Sequence, residues 1–423
     1  MNRRAFMQFG ALAWTAIQAR RASATEQPPT KENALPPRNY APKVVTPNGT
    51  TLSLQRNKNV LVGHLVAEAV QNTFAPGLSG TCWGFNGSTP GPTIEATQGD
   101  RLRLYVTNRL PEPTSIHWHG LILPNGMDGV AGLTQTPIPP GQTYVYEFTL
   151  RYPGTFMYHP HYDEMTQIAM GMVGMFIVHP RQHPANPVDR DFALMTHEWL
   201  ILPGMSRPDP LAMNDFNLLT FNSRAYPATE PLMAHVGEKV RIRLGNLGPM
   251  DHHPIHLHGL SFHVTGTDGG LIKASAQIPQ TTVLVPVGAT RTIEFVAEEP
   301  GDWAMHCHMT HHTMTQMGHG AISSIGADNR IFSSRLSRVL PQIMTMGESG
   351  MGQMADMDMP VPANSAPMRA TAGPFGSIDM GGMFTVLKIR PRGDKLDPKS
   401  WYAHPPGTVA RAALPQEMVR DGL

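Results

Sequence analysis

The chain has 423 residues, 41% hydrophobic and only 15% charged, with a formal net charge of +1 at pH 7. That balance gives no basic footprint for a nucleic-acid partner, and two cysteines are too few for a disulfide framework. What stands out instead is 20 histidines and 27 methionines, side chains that ligate soft metals.

Residues 1–24 read as a targeting signal. Asn2-Arg3-Arg4-Ala5-Phe6-Met7 is a twin-arginine pattern, a modest apolar run follows, and Ala22-Ser23-Ala24 is a small-residue cleavage site. The expectation is a bacterial protein delivered folded to the periplasm or exported. No later run is long and apolar enough to span a membrane. After a linker over 25–44, Phe85-Asn86, Pro90 and Gly99-Asp100 lead into an alternating strand, Arg101 to Val106. Then come His117-Trp118-His119-Gly120, a strand from Tyr144 to Leu150, and His159-Pro160-His161. Met165, Met170, Met172 and Met175 read as core filler beside this cluster, and Cys82 as a small buried residue.

The pattern then recurs, which identifies a duplication. Phe221-Asn222, Pro227, Gly237-Glu238, a strand from Lys239 to Leu244, and His256-Leu257-His258-Gly259 repeat the first set in order. A strand from Thr290 to Val296 follows. Gly288, Gly301, His306 and His308 each lie 147 positions after Gly141, Gly154, His159 and His161. Short alternating runs separated by Gly, Pro and Asn make each half all-β, in the manner of a Greek-key sandwich. The halves differ where chemistry is concerned. Pro160 stands where Cys307 stands, Met165 where His312 stands, and Thr114 where His253 falls.

Strand alternation turns these spacings into geometry. Each His-x-His pair puts two imidazoles on one face: 117/119, 159/161, 256/258 and 306/308. Cys307 points to the opposite face from His306 and His308, and His253 is offset so that it can join Cys307. His253, Cys307, His312 and Met317 remain as a separate set, and a trigonal His₂Cys site with a long axial Met is how a blue copper is built. Zinc is disfavoured, since structural zinc sites use several cysteines.

With Pro90-Gly91-Pro92, Gly99-Asp100, His117-Trp118-His119-Gly120, His253-Pro254-Ile255-His256-Leu257-His258-Gly259 and His306-Cys307-His308 in place, the chain resembles a multicopper oxidase over roughly residues 45–325. The resemblance implies cupredoxin-like domains at 45–180 (cluster histidines alone) and 190–330 (both centres). It implies four coppers. Type 1 copper would be held by His253, Cys307 and His312 with Met317 axial, and type 2 by His117 and His256. One type 3 copper would take His119, His159 and His308, and its partner His161, His258 and His306. Asp128 falls where the family keeps an acid near the cluster; a plain turn residue in Met127-Asp128-Gly129 is the other reading. Many members place an acid after the second type 1 histidine. Here it is Thr313, so that proton donor is either missing or replaced by Asp163 or Glu164. Only 91 residues separate His161 from His253, too few for a middle domain. The two-domain branch, with a cluster shared between subunits of a homotrimer, is the expectation.

Residues 341–383 carry methionines among Gly, Pro, Ser and Asp, and the extension 331–383 is expected to be flexible and able to contact Cu(I). Phe384 to Ile389 then returns as a strand, followed by a tail to 423. The implied activity is oxidation of a small reductant or metal ion, Cu(I) in copper tolerance or laccase-like oxidation of phenols, coupled to reduction of O₂ to water. Cys307 would relay the electrons and Asp128 would assist proton delivery. Rival readings are a two-domain copper nitrite reductase, which normally keeps its type 1 cysteine in the first domain, and a non-catalytic copper-buffering protein.

Overall fold

The computed structural model describes residues 42–182, 187–316, 322–323, 328, 330–341, 345–346, 362–367 and 371–423. The twin-arginine segment, Met317 and Met344, Met351, Met354, Met357, Met359 and Met368 lie outside these residues. Among the described residues no helix is long and apolar enough to cross a membrane.

Alternation of apolar and polar side chains sets the strands of the first sandwich. In β1 (Val60–Ala75), β2 (Leu78–Phe85) and β4 (Arg101–Asn108) burial follows a period of two. β3 (Ile94–Thr97) and β5 (Thr143–Thr149) are short, and β6 (Gly154–Tyr158) and β7 (Gly174–His179) are buried along their whole length. One sheet pairs β2 with β1, β1 with β4 and β4 with β5; the other runs β3-β7-β6.

The second sandwich comprises β8 (Arg190–Trp199), β9 (Leu218–Phe221), β10 (Leu232–His235), β11 (Lys239–Asn246), β12 (His253–Leu257), β13 (Phe262–Thr267), β14 (Thr282–Val285), β15 (Thr290–Val296), β16 (Gly301–Cys307) and β17 (Phe384–Arg390). Its sheets run β9-β8-β11-β15-β13 and β10-β17-β16-β12-β14. The five strands read from sequence are therefore present as β4, β5, β11, β15 and β17. Trp118 and Phe176 centre the first core, and Ile255, Leu257, Met305 and Leu387 the second.

An apolar layer joins the two sandwiches: Met157, Met175 and Ile177 pack with Ala193, Met195 and Leu247. Gly245 permits it, because a Cβ there would stand 2.7 Å from the Met175 sulfur. A buried ion pair lies in the same region. Asp191 takes two 2.8 Å hydrogen bonds from Arg243, which also donates to the Thr155 hydroxyl at 2.7 Å across the sandwich boundary. Burial opposes ionisation of Asp191, but Arg243 and Arg241 hold its carboxyl below the usual range. Arg243→Met strips a buried carboxylate of its main partner and is expected to cost about 3 kcal/mol or more, read as a lower urea midpoint; an unchanged midpoint would contradict this role.

One expectation needs correction. Met165 is 60% exposed, not core filler, whereas Met170, Met172 and Met175 are buried. The short helix α1 (Glu164–Ala169) is anchored through Gln167, which accepts from the Thr114 hydroxyl at 2.6 Å and donates to the Pro113 carbonyl, so Met165 faces outward. Parts of the extension over 331–383 are among the described residues. They include all but the first residue of helix α2 (Arg330–Val339) and a hairpin of Thr371–Gly373 with Gly376–Ile378. Asn364 bonds the Ser79 backbone on both sides and the Met205 carbonyl, while Ala366 and Met383 are buried.

Candidate metal centre

The duplicated His-x-His pairs meet in the same way in both sandwiches. His117 and His159 form an antiparallel bridge, with backbone N–H···O distances of 2.8 and 3.2 Å. Their counterparts His256 and His306 face each other where β12 pairs with β16. Cross-strand pairing of the first histidines brings four imidazoles together each time. In the first foursome, His117 lies 5.6, 5.4 and 5.5 Å from His119, His159 and His161 between ring centroids. In the second, His256 lies 4.7, 5.7 and 5.4 Å from His258, His306 and His308. Among the described residues no ring contact links one foursome to the other, and His258 and His308 are exposed.

Backbone carbonyls orient these rings. The Nδ1 atoms of His117, His159, His256 and His306 lie 2.8 Å from the carbonyls of Asp128, Pro160, Thr281 and Cys307. Donation there fixes the tautomer and leaves each Nε2 lone pair for a metal. His119 Nδ1 stands 3.2 Å from His159 Nε2, and His258 Nε2 stands 3.1 Å from His306 Nε2. Two imidazole nitrogens sharing a tetrahedral ion at about 2.0 Å are about 3.3 Å apart, so the spacing fits a common metal.

His253, Cys307 and His312 form the separate set, all buried. Cys307 Sγ lies 3.8 Å from His253 Nδ1 and 3.5 Å from His312 Nδ1; a trigonal ion would set about 3.7 Å. Burial pushes the Cys307 thiol up to about 12, so a thiolate here needs a cation bound to it. The expected fourth member, Met317, lies outside the described residues. The ligand loop is braced by β17's approach: Cys307 N–H donates to the Met383 carbonyl and Met383 N–H to the His312 carbonyl.

Acids line both centres. Asp128 sits 3.5 Å from His117 Nδ1 through its carboxylate, at the end of a 3₁₀ turn, so the turn and the contact coexist. Gly129 makes that turn possible, since a Cβ there would meet the Ile116 carbonyl at 1.7 Å. Of the two substitutes for an acid at Thr313, Glu164 stands 3.2 Å from His159 and 3.8 Å from His161; Asp163 occupies the left-handed cap of α1.

Burial lowers His159 to about 3, and His312 and His197 to about 4. Because an unfolded histidine titrates near 6.5, the unfolded chain binds more protons between the two values. Metal-free protein should keep this stability above about pH 6.5 and lose it as pH falls towards about 4, with His197 alone contributing about 3 kcal/mol. Melting curves across that range test this, and a constant Tm down to pH 4 would refute it.

Multicopper oxidase profiles match residues 67–183 and 203–326, together more than half of the chain. The chain belongs to the multicopper oxidase family. Copper resistance protein A of Escherichia coli is 29% identical over 322 residues, which are 64% of this chain and 52% of that protein. Laccase-1 of Cryptococcus neoformans var. grubii is 41% identical over 121 residues, 27% of this chain and 19% of that protein. The chain therefore spans about half the length of the first relative and less of the second. The solved multicopper oxidase mgLAC is 27% identical with a TM-score of 0.58, over 79% of this chain and 87% of that one.

Within this multicopper oxidase, one residue near the Cys307 set escaped sequence reasoning. Glu198 is fully buried and stands 3.3 Å from His253 Nε2. Its only signal was an acid inside the apolar run from Phe192 to Ile201.

Proposed function

We propose that this protein is an exported copper oxidase that takes electrons singly from a small reductant and reduces O₂ to water. Bound copper would supply both one-electron acceptance at the Cys307 set and the four-electron reduction of dioxygen at the histidine clusters. His253, Cys307, His312 and Met317 hold the type 1 ion in this reading. His117 with His256 holds type 2; His119, His159 and His308, and His161, His258 and His306, hold the type 3 pair. The short distances within 119/159 and 258/306 support that partition. One observation carries the reading: Cys307 lies in the backbone between His306 and His308, linking a thiolate site directly to a histidine foursome.

Among the described residues no ring contact joins the two foursomes, which supports a cluster completed by the first sandwich of one subunit and the second of the next, in a homotrimer that would close such a ring. Asp128 orients His117, and Glu164, beside His159 and His161 and partly open to solvent, serves as the acid missing at Thr313. A two-domain nitrite reductase fits less well, because eight cluster histidines and Pro160 in place of a first-domain cysteine serve oxygen chemistry. The twin-arginine signal supports a periplasmic location.

Cu(I) is the favoured reductant and phenols the second, on the strength of the methionines between 341 and 383. Deleting residues 341–372 is expected to lower Cu(I) turnover severalfold while sparing phenol turnover, measured as oxygen uptake on copper-loaded protein. Equal losses, or none, would remove the methionines from the argument.

A further inference from the structure

We propose that Glu198 is a positioning residue of the Cys307 centre, a buried carboxylate that fixes the His253 ring and lowers the reduction potential of the ion held there. The inference rests on the type 1 assignment given above. Glu198 is the next-to-last residue of β8 and has no exposed surface. One of its carboxylate oxygens accepts the backbone N–H groups of Met250 at 2.6 Å and Asp251 at 2.7 Å. The other lies 3.3 Å from His253 Nε2. A Cβ at residue 248 would stand 1.9 Å from that second oxygen, so Gly248 keeps the space for it.

The consequence for His253 is chemical. The acceptor-only carboxylate requires the proton on Nε2, which directs the Nδ1 lone pair towards Cys307, 3.8 Å away. A carboxylate behind a ligating imidazole also makes the ring a better donor, which favours the more highly charged oxidation state. Among the described residues, His253 is the one ion-pair partner of Glu198. An ionised carboxylate without a permanent cation costs several kcal/mol when buried, and a metal cation on the far side of the ring would offset that cost.

His312 provides the contrast. Its Nε2 lies 3.6 Å from an Asp251 carboxylate that is 32% exposed, so this charge is distant and screened. The two imidazoles are therefore held unequally, His253 by an interior anion and His312 by a solvent-facing one.

Redox titration of the copper-loaded protein, followed at the blue absorption band, tests the proposal. Glu198→Gln removes the charge and sets an amide N–H against His253. At a fixed ambient potential it should lower the ratio of oxidised to reduced centre at least tenfold, about 59 mV for one electron, and weaken Cu(II) retention about 10- to 100-fold. Glu198→Asp keeps the charge and should restore most of both, and Asp251→Asn should move the potential less than Glu198→Gln. A Glu198→Gln protein matching wild type in potential and Cu(II) affinity would overturn the proposal. Should that variant not fold, the wild type still decides: in D₂O one type 1 imidazole N–H should exchange slowly and the other fast, and two fast exchangers would overturn it. A wild-type protein with no blue band would instead refute the type 1 assignment.

Discussion

Cys307→Ser is expected to abolish the blue absorption, remove one copper per chain and slow reductant-driven oxygen uptake at least a thousandfold, about 4 kcal/mol in barrier. Cys307 is the one thiolate candidate in its set, and serine stays protonated and hard where a soft anionic donor is needed. The loss is double. The electron-accepting ion goes, and so does the covalent route from residue 307 to the rings at 306 and 308, which is drawn tight by the 2.8 Å contact between His306 Nδ1 and the Cys307 carbonyl. The eight cluster histidines stay in place, because β12 and β16 pair through backbone groups that the substitution leaves alone. The variant should therefore keep its remaining copper and most of its Tm. A blue or fully active Cys307→Ser protein would remove the thiolate from the mechanism.

Two inactive variants should restore each other when produced together. In one, His117→Ala with His119→Ala empties the first foursome; in the other, His256→Ala with His258→Ala empties the second. Each alone has no complete cluster wherever its subunits meet. In a mixed assembly, the intact first sandwich of one variant meets the intact second sandwich of the other, and random mixing in a cyclic oligomer gives roughly a quarter of the contacts all eight rings. Oxygen uptake should recover to about that fraction. Co-purified mixed oligomers as inactive as the separate variants would show that each chain builds its cluster alone.

Much of the site was legible because strand alternation is a strict rule. The period of two places His306 and His308 on one face and Cys307 on the other, and in the structure the rings of His306 and His308 gather on His256 while Cys307 gathers with His253 and His312. The duplication was equally open to reading, since Gly, His and alternating apolar positions recur at fixed offsets. Less could be read of what depends on tertiary contact. Nothing local to Glu198 announces that it will stand behind a histidine 55 positions away. Nor does the sequence tell that Glu164, next to the left-handed Asp163, is the acid of the two that stands beside His159 and His161. Composition alone also gave no sign of the three bonds that a single side chain of the extension, Asn364, makes to Ser79 and Met205.

The position of β17 has a consequence for biogenesis. It lies between β10 and β16 in the sheet that carries Cys307, yet it is the last strand of that sheet to be synthesised. A nascent chain that has already produced the cysteine still lacks the neighbour whose Met383 backbone clasps residues 307 and 312. The pocket around the thiol therefore gains its last backbone neighbour only after the chain has been made through residue 383.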